Sequence, residues 1–139
     1  MEIEENARVL VVDDQRANRI ILERRLEDSG FEVTSASGGM EALDIVLDAK
    51  AEEGISRLDA VVLDIMMPDI DGMEVLRRIR AVHCANTLPV IMATAKDRSE
   101  DIVDALREGA NDYVTKPITR ARLLRTVLQA IQGQAACRG

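Results

Sequence analysis

Four short apolar runs, each ending on a residue that carries chemistry, constrain this chain more than any other feature of it. Val9-Leu10-Val11-Val12 leads into Asp13-Asp14, Val61-Val62-Leu63 into Asp64, Val90-Ile91-Met92-Ala93 into Thr94, and Tyr113-Val114-Thr115 into Lys116. Unbroken β-branched runs of this length are how strands covered on both faces read. Laid parallel in one sheet, such strands end on one edge, and in open parallel sheets that edge is where ligands bind. Three carboxylates, a hydroxyl and an ammonium would then meet in one small space, a set suited to a divalent cation and a phosphoryl group.

Helical patterns separate the runs, and strand and helix alternate along the whole chain, which predicts an α/β fold with a parallel sheet. Strands are expected at Arg8–Val12, Glu32–Ala36, Ala60–Asp64, Pro89–Ala93 and Asp112–Thr115. The first helix is expected over Arg16–Ser29, with Ile21, Leu22 and Leu26 on its inner face and Gly30 as its stop. The second begins near Gly39 and carries Ala42, Leu43, Val46 and Leu47 at helical spacing. The third follows Asp71-Gly72 with Val75, Leu76 and Ile79 inward, and the fourth spans Ser99–Glu108. The fifth spans Thr119–Gln132, with Leu123, Leu124, Val127, Leu128 and Ile131 inward. Five such units use up the 139 residues, so one domain over 1–132 is expected, followed by a small polar tail at 133–139 read as flexible or as the start of a linker. The polar stretch Lys50–Leu58 is expected to lengthen the second helix or the loop after it.

Charge narrows the partners. A net charge of −7 and a pI near 4.8 argue against direct binding to nucleic acid, which needs a basic surface. No apolar run has the length to span a bilayer, and the acidic start Met1-Glu2-Ile3-Glu4-Glu5 lacks the layout of a signal peptide. Cys84 and Cys137 form no ligand spacing and His83 is the single histidine, which argues against a zinc site. Both cysteines read as free thiols in a reducing cytoplasm.

An exposed carboxylate at Asp64 can act as a nucleophile toward phosphorus, giving an aspartyl-phosphate. An anion attacks an anionic donor only if a cation bridges them, and Mg²⁺ (or Mn²⁺ in its place) prefers one or two carboxylates plus water and phosphate oxygens. Asp13 and Asp14 supply the extra carboxylates, Lys116 a mobile cation and Thr94 a hydroxyl donor. Without metal, close carboxylates raise one another's proton affinity and burden the fold. The ordinary alternatives are that Asp13-Asp14 cap a helix, that Tyr113 is a half-buried core filler, and that Asp69 and Asp71 are loop or cap residues.

With these residues in order, the chain resembles the receiver domain of a two-component response regulator. The matching pieces are Val11-Val12-Asp13-Asp14, Leu63-Asp64 through Met66-Met67-Pro68 to Asp71-Gly72, Ala93-Thr94-Ala95, and Gly109-Ala110 through Tyr113 to Lys116-Pro117. The resemblance implies a flavodoxin-like (βα)5 sandwich with strand order 2-1-3-4-5. It implies Asp64 as phospho-acceptor, with Asp13, Asp14, Asp64 and the Met66 backbone carbonyl holding Mg²⁺. Thr94 and Tyr113 would form the switch pair, Lys116 the phosphate partner, and Lys116-Pro117 a cis peptide. The implied role is phosphorelay signalling, not enzymatic turnover of an external substrate. The implied partners are a histidine kinase or histidine phosphotransfer protein, an output domain or protein, and a second copy of the chain paired on phosphorylation. Two departures stand out: Met66 two residues after Asp64 and Lys96 two after Thr94 offer no carboxylate or amide to orient water, which predicts slow self-dephosphorylation. The rival readings are a degenerate receiver acting only as an interaction module, and an Asp-nucleophile phosphatase. The phosphatase wants a second Asp where Met66 stands.

Overall fold

The computed structural model describes residues 7–47, 58–95 and 99–138, with side chains as far as residue 133 in the last helix. The elements run β1 (Arg8–Val12), α1 (Arg16–Glu27), β2 (Glu32–Ala36), α2 (Gly39–Val46), β3 (Ala60–Asp64), α3 (Gly72–Arg80), β4 (Val90–Ala95), α4 (Ser99–Arg107), β5 (Asp112–Lys116) and α5 (Arg120–Arg138). All strand pairs are parallel, in the order β2-β1-β3-β4-β5. This is the flavodoxin-like arrangement that the resemblance implies, a sheet with helices on both faces.

Strict alternation along each strand sorts the core into two layers. Leu10, Val12, Val61, Leu63, Val90 and Met92 pack with the inner residues of α2 and α3 and with Ala105 of α4. Val9, Val11, Ala60, Val62, Ile91, Ala93 and Val114 pack instead with Leu22 and Leu26 of α1 and with Leu123 and Val127 of α5. Nearly all of these side chains are fully buried, as the unbroken apolar runs require. Gly30 and Gly109 stop α1 and α4 at φ +99° and +110°, conformations that a Cβ disfavours. Among the described residues, no helix is long and apolar enough to cross a membrane.

Several boundaries differ from expectation. Ile21 does not face the core of α1: it is 46% exposed, and Leu22 and Leu26 alone carry the buried stripe. Leu47 lies just past the end of α2 and is also exposed. β4 starts at Val90 and continues through Thr94 to Ala95. α5 does not stop at Gln132 but continues to Arg138. The segment after Gly133 (Gln-Ala-Ala-Cys-Arg) contains no proline and two alanines, so one glycine is too small a penalty to end it. The stretch Lys50–Leu58, expected to lengthen α2 or the loop after it, lies outside the described residues except for Leu58.

Two contacts hold the ends of the sheet. At the amino-terminal edge, the Arg80 guanidinium donates to the carbonyls of Gly109 (2.8 Å) and Leu88 (2.9 Å) and to Asn111 Oδ1 (2.7 Å), tying α3 to the turns flanking β4 and β5. At the carboxy-terminal edge, the first residue of α3 presses on the main chain that follows β3. A Cβ on Gly72 would stand 2.3 Å from the Asp64 carbonyl oxygen and 2.8 Å from Ile65 Cα. The obstacle is backbone, so Gly72→Ala must push α3 away from the sheet. The expected loss is about 2–3 kcal/mol of unfolding free energy, the scale of overpacking a dense core. Urea denaturation checks it, and a wild-type midpoint would show that α3 can withdraw freely.

Candidate functional site

The register across the sheet assembles the site. Val12 pairs with Leu63, Asp64 with Ala93, and Ala95 with Lys116, so the residues at the strand ends line up along one edge. Alternation then separates them by face. Asp64 follows Ala60 and Val62 on the α1/α5 side, Lys116 follows Val114 on that side, and Asp13 continues the series of Val9 and Val11. Thr94 and Tyr113 fall on the other face, in line with Val90 and Met92. The strand-end residues therefore form two groups back to back.

The first group is acidic. Asp13, Asp14 and Asp64 each place a carboxylate oxygen within 4.8 Å of the others. Adjacent aspartates reach one point because β1 ends at Val12 and the chain turns there. Asp13 Oδ1 accepts from the Gln15 N–H (2.9 Å), and the Arg19 guanidinium donates to the Asp13 carbonyl (2.8 Å). Neither aspartate is the N-cap residue of α1: that residue is Gln15, whose own side chain makes no capping bond. Asp13 is 1% exposed while Asp14 is open to solvent.

Asp64 departs from the sequence expectation of an exposed carboxylate; it is only 4% exposed. Its Oδ1 accepts from the Met66 N–H (3.3 Å) and lies 3.2 Å from Lys116 Nζ. Lys116 also reaches Asp13 Oδ2 at 3.5 Å, so one half-exposed ammonium spans both buried acids. Burial pushes the Asp64 carboxyl above its ordinary value, with a further push from Asp13, while Lys116 pulls it down. Repulsion between carboxylates is thus secondary to desolvation here. Oxygen donors of this kind suit a hard divalent cation such as Mg²⁺.

The second group is the hydroxyl and the phenol. Thr94 is 2% exposed, and its hydroxyl donates to the Ala95 carbonyl at a long 3.4 Å. Tyr113 is half-buried against the α2–α4 layer, in register with Met92, with the Arg122 guanidinium 5.9 Å from its ring centroid. Lys116-Pro117 is cis. Met66 is 57% exposed in the loop after β3, and Lys96 lies outside the described residues.

Asp69 and Asp71, expected to be loop or cap residues, both cap helices. Asp71 caps α3, accepting from the Glu74 N–H at 2.9 Å. Asp69 caps a different helix, accepting from Gly39 N–H (3.1 Å) and Met40 N–H (3.0 Å) at the start of α2. No local spacing signals a cap supplied from 30 residues away. A groove of about 420 Å³ beside Lys116, lined by Asn18, Ile21, Pro117 and Ile118 among others, was equally invisible.

Comparison with known proteins agrees with this geometry. Residues 9–128 match the response regulator receiver domain family. The chain is 44% identical over 117 residues to response regulator MprA of Mycobacterium sp. strain KMS, covering 84% of this chain and 47% of that protein. Against response regulator MprA of Mycobacterium bovis strain BCG / Pasteur 1173P2 it is 42% identical over 119 residues, covering 86% and 48%. The chain thus spans about half the length of the curated relatives it matches. Among solved structures, a CheY-like receiver domain protein from Methanospirillum hungatei JF-1 superposes with TM-score 0.83 at 26% identity, covering 95% of this chain and 98% of that one. A putative two-component response regulator/GGDEF domain protein superposes with TM-score 0.83 at 28% identity, covering 94% of this chain and 51% of that one.

The raised Asp64 carboxyl gives a signed expectation for the metal-free protein. The folded state holds this proton more tightly than the unfolded chain does. Stability therefore falls as pH rises from the unfolded value through the raised folded one, a penalty carried by the ionised carboxylate. Asp64→Asn removes it and should stabilise the protein at pH 7 in EDTA by about 1 kcal/mol, the scale of a typical single substitution. The gain should shrink toward acid pH. Urea denaturation at several pH values measures this, and a destabilised variant at pH 7 would mean that the Lys116 pair outweighs burial.

Proposed function

The chain belongs to the response regulator receiver domain family, and from that premise we propose that it serves two-component signalling as a Mg²⁺-dependent phospho-acceptor, with Asp64 as the residue phosphorylated. One observation carries the reading: Asp64 sits within 4.8 Å of two further carboxylate oxygens and 3.2 Å from a mobile ammonium. A purely structural site has no reason to bury two acids beside a third and share one lysine between them, because each buried charge costs desolvation.

In the proposed reaction a carboxylate oxygen of Asp64 bonds to phosphorus as the P–N bond of a donor phosphohistidine breaks. The bonding pair stays on the imidazole nitrogen, which takes up a proton. Asp13, Asp14, Asp64 and the Met66 carbonyl would hold Mg²⁺, which neutralises the acids and polarises the phosphoryl oxygens when bound. Lys116, now paired with Asp64 and Asp13, turns to a phosphoryl oxygen as charge builds there. Thr94 supplies a hydroxyl donor to a phosphoryl oxygen in the same transfer, as a third catalytic group beside Asp64 and Lys116. The donor is a histidine kinase or phosphotransfer protein, and the groove beside Lys116 offers it an apolar landing that accounts for the exposure of Ile21. The work is cytoplasmic, with no direct role for nucleic acid or membrane in this domain, and the output lies in a further domain or a separate protein.

Readout follows from the two faces. The Thr94 hydroxyl is free to leave its long contact with Ala95 for a phosphoryl oxygen, and Tyr113 on the same face then moves into the space beneath it. That alters the surface of α4, β5 and α5, which would pair with an output partner or a second copy. Slow loss of the phosphoryl group follows from Met66, an exposed apolar side chain where a water-orienting group would stand.

Incubation with a small acyl phosphate and Mg²⁺ should add one phosphoryl mass to the wild-type protein and none to Asp64→Asn, as read by intact mass spectrometry. The label should then persist for many minutes at neutral pH; loss within seconds would reject the role given to Met66, and labelling of Asp64→Asn would reject the site. Tyr113→Ala should be labelled at the wild-type rate yet lose any phosphorylation-dependent change in light scattering. Wild-type behaviour in scattering would refute the switch route.

A further inference from the structure

The loop that follows Asp64 is held at two places by different means. Its base is closed by the Gly72 N–H donating to the Ile65 carbonyl at 2.8 Å. Its crown is held by another element altogether. Asp69, exposed at the tip, accepts at Oδ1 from the Gly39 N–H (3.1 Å) and at Oδ2 from the Met40 N–H (3.0 Å). These are the first N–H groups of α2, which have no partner inside a helix. The N-cap residue of α2 is Gly38, which has no side chain to offer, so the cap comes from the β3–α3 loop instead.

The contact is close because two glycines permit it. A Cβ on Gly38 would lie 2.9 Å from Asp69 Oδ2, and one on Gly39 would lie 2.7 Å from Val75 Cγ2 and 2.9 Å from the Ile70 carbonyl. Met67 and Ile70 of the same loop pack into the α2–α3 layer. Between the base and the tip lies Met66, whose N–H meets Asp64 Oδ1 at 3.3 Å. The part of the loop that meets the phospho-acceptor is thus stretched between β3 and the start of α2.

We propose that Asp69 is a positioning residue: by capping α2 from the loop after Asp64, it fixes the Met66 main chain at the acidic cluster and so sets the cation affinity of the site. The proposal deepens the phospho-acceptor reading and rests on it. Asp69 touches neither metal nor phosphoryl group. Its two accepted bonds tie the loop tip to α2 and so limit the movement of the main chain that leads to it from Met66, and a ligand held in advance binds more tightly than one that must be ordered. Without the carboxylate, the α2 N–H groups turn to water and the loop keeps its base and the packing of Met67 and Ile70 but loses its polar tie to α2.

The test uses Asp69→Ala and Asp69→Asn in the intact chain, with three readouts. Hydrogen exchange on the metal-free protein should show the Met66 amide exchanging about tenfold faster in Asp69→Ala, with the β3 amides unchanged. Mg²⁺ titration by calorimetry should show the dissociation constant raised about tenfold in Asp69→Ala, as outer-shell losses commonly do. Asp69→Asn keeps one acceptor oxygen and should recover most of both effects. Circular dichroism confirms that each variant is folded at the titration temperature; if Asp69→Ala is not, Asp69→Asn against Asp69→Ser decides. Less stable variants with wild-type Mg²⁺ affinity and wild-type Met66 exchange would overturn the proposal and leave Asp69 a simple helix cap. If the wild-type protein itself neither binds Mg²⁺ nor takes up the phosphoryl mass, the phospho-acceptor reading fails instead.

Discussion

Two-sided burial of a parallel sheet is the constraint from which the rest follows. The three inner strands, β1, β3 and β4, carry apolar residues on both pleats, and every strand runs parallel to its neighbours with helices covering both faces. The polar residues that end these runs, Asp13, Asp64 and Thr94, then stand at the carboxy-terminal edge, beside Lys116 at the end of β5. Because side chains alternate, that edge is two surfaces: Asp13, Asp64 and Lys116 on the α1/α5 side, Thr94 and Tyr113 on the other. One sheet therefore holds a reactive cluster and a readout pair one pleat apart, with only the strands between them.

The cluster is electrostatically poised. Three carboxylates this close are unfavourable, and the burial of Asp64 adds to the burden. Lys116 relieves part of it by spanning two of the acids, but from a half-exposed position that lets it swing away. A site of this kind is satisfied more fully by an added cation than by its own lysine, and the lysine is then free for an incoming anion. That balance, more than any single distance, is what fits these acidic residues to the phospho-acceptor role proposed for them.

Glycine is spent where backbones must touch. Gly72 brings α3 against the Asp64 carbonyl, and Gly38-Gly39 bring the start of α2 against the loop that follows. At Gly72 the contact is with main chain, and at Gly38-Gly39 it is with the Asp69 carboxylate and the side chains of Val75 and Ile70. On the far edge, Arg80 serves the opposite purpose: a long cation reaching three separate carbonyls and Asn111, where no ligand is wanted and only closure matters.

Much of this was legible in the residues alone. Apolar runs of four or so residues determine buried strands, and the residue after each run determines what chemistry reaches the edge, because both follow from local pattern. Asp13, Asp14, Asp64 and Lys116 were all found this way, and the tertiary fold brings them together. Ile21 was misread because periodicity marks a face without saying how much of it a neighbour covers, and α5 ran long because one glycine is a weak stop without a C-cap turn to follow it. The burial of Asp64, the division of the edge into two faces and the capping of α2 by Asp69 belonged to the tertiary structure. Each depends on which strand lies beside which, and that is set by packing between residues far apart in the chain, where no local spacing carries a signal.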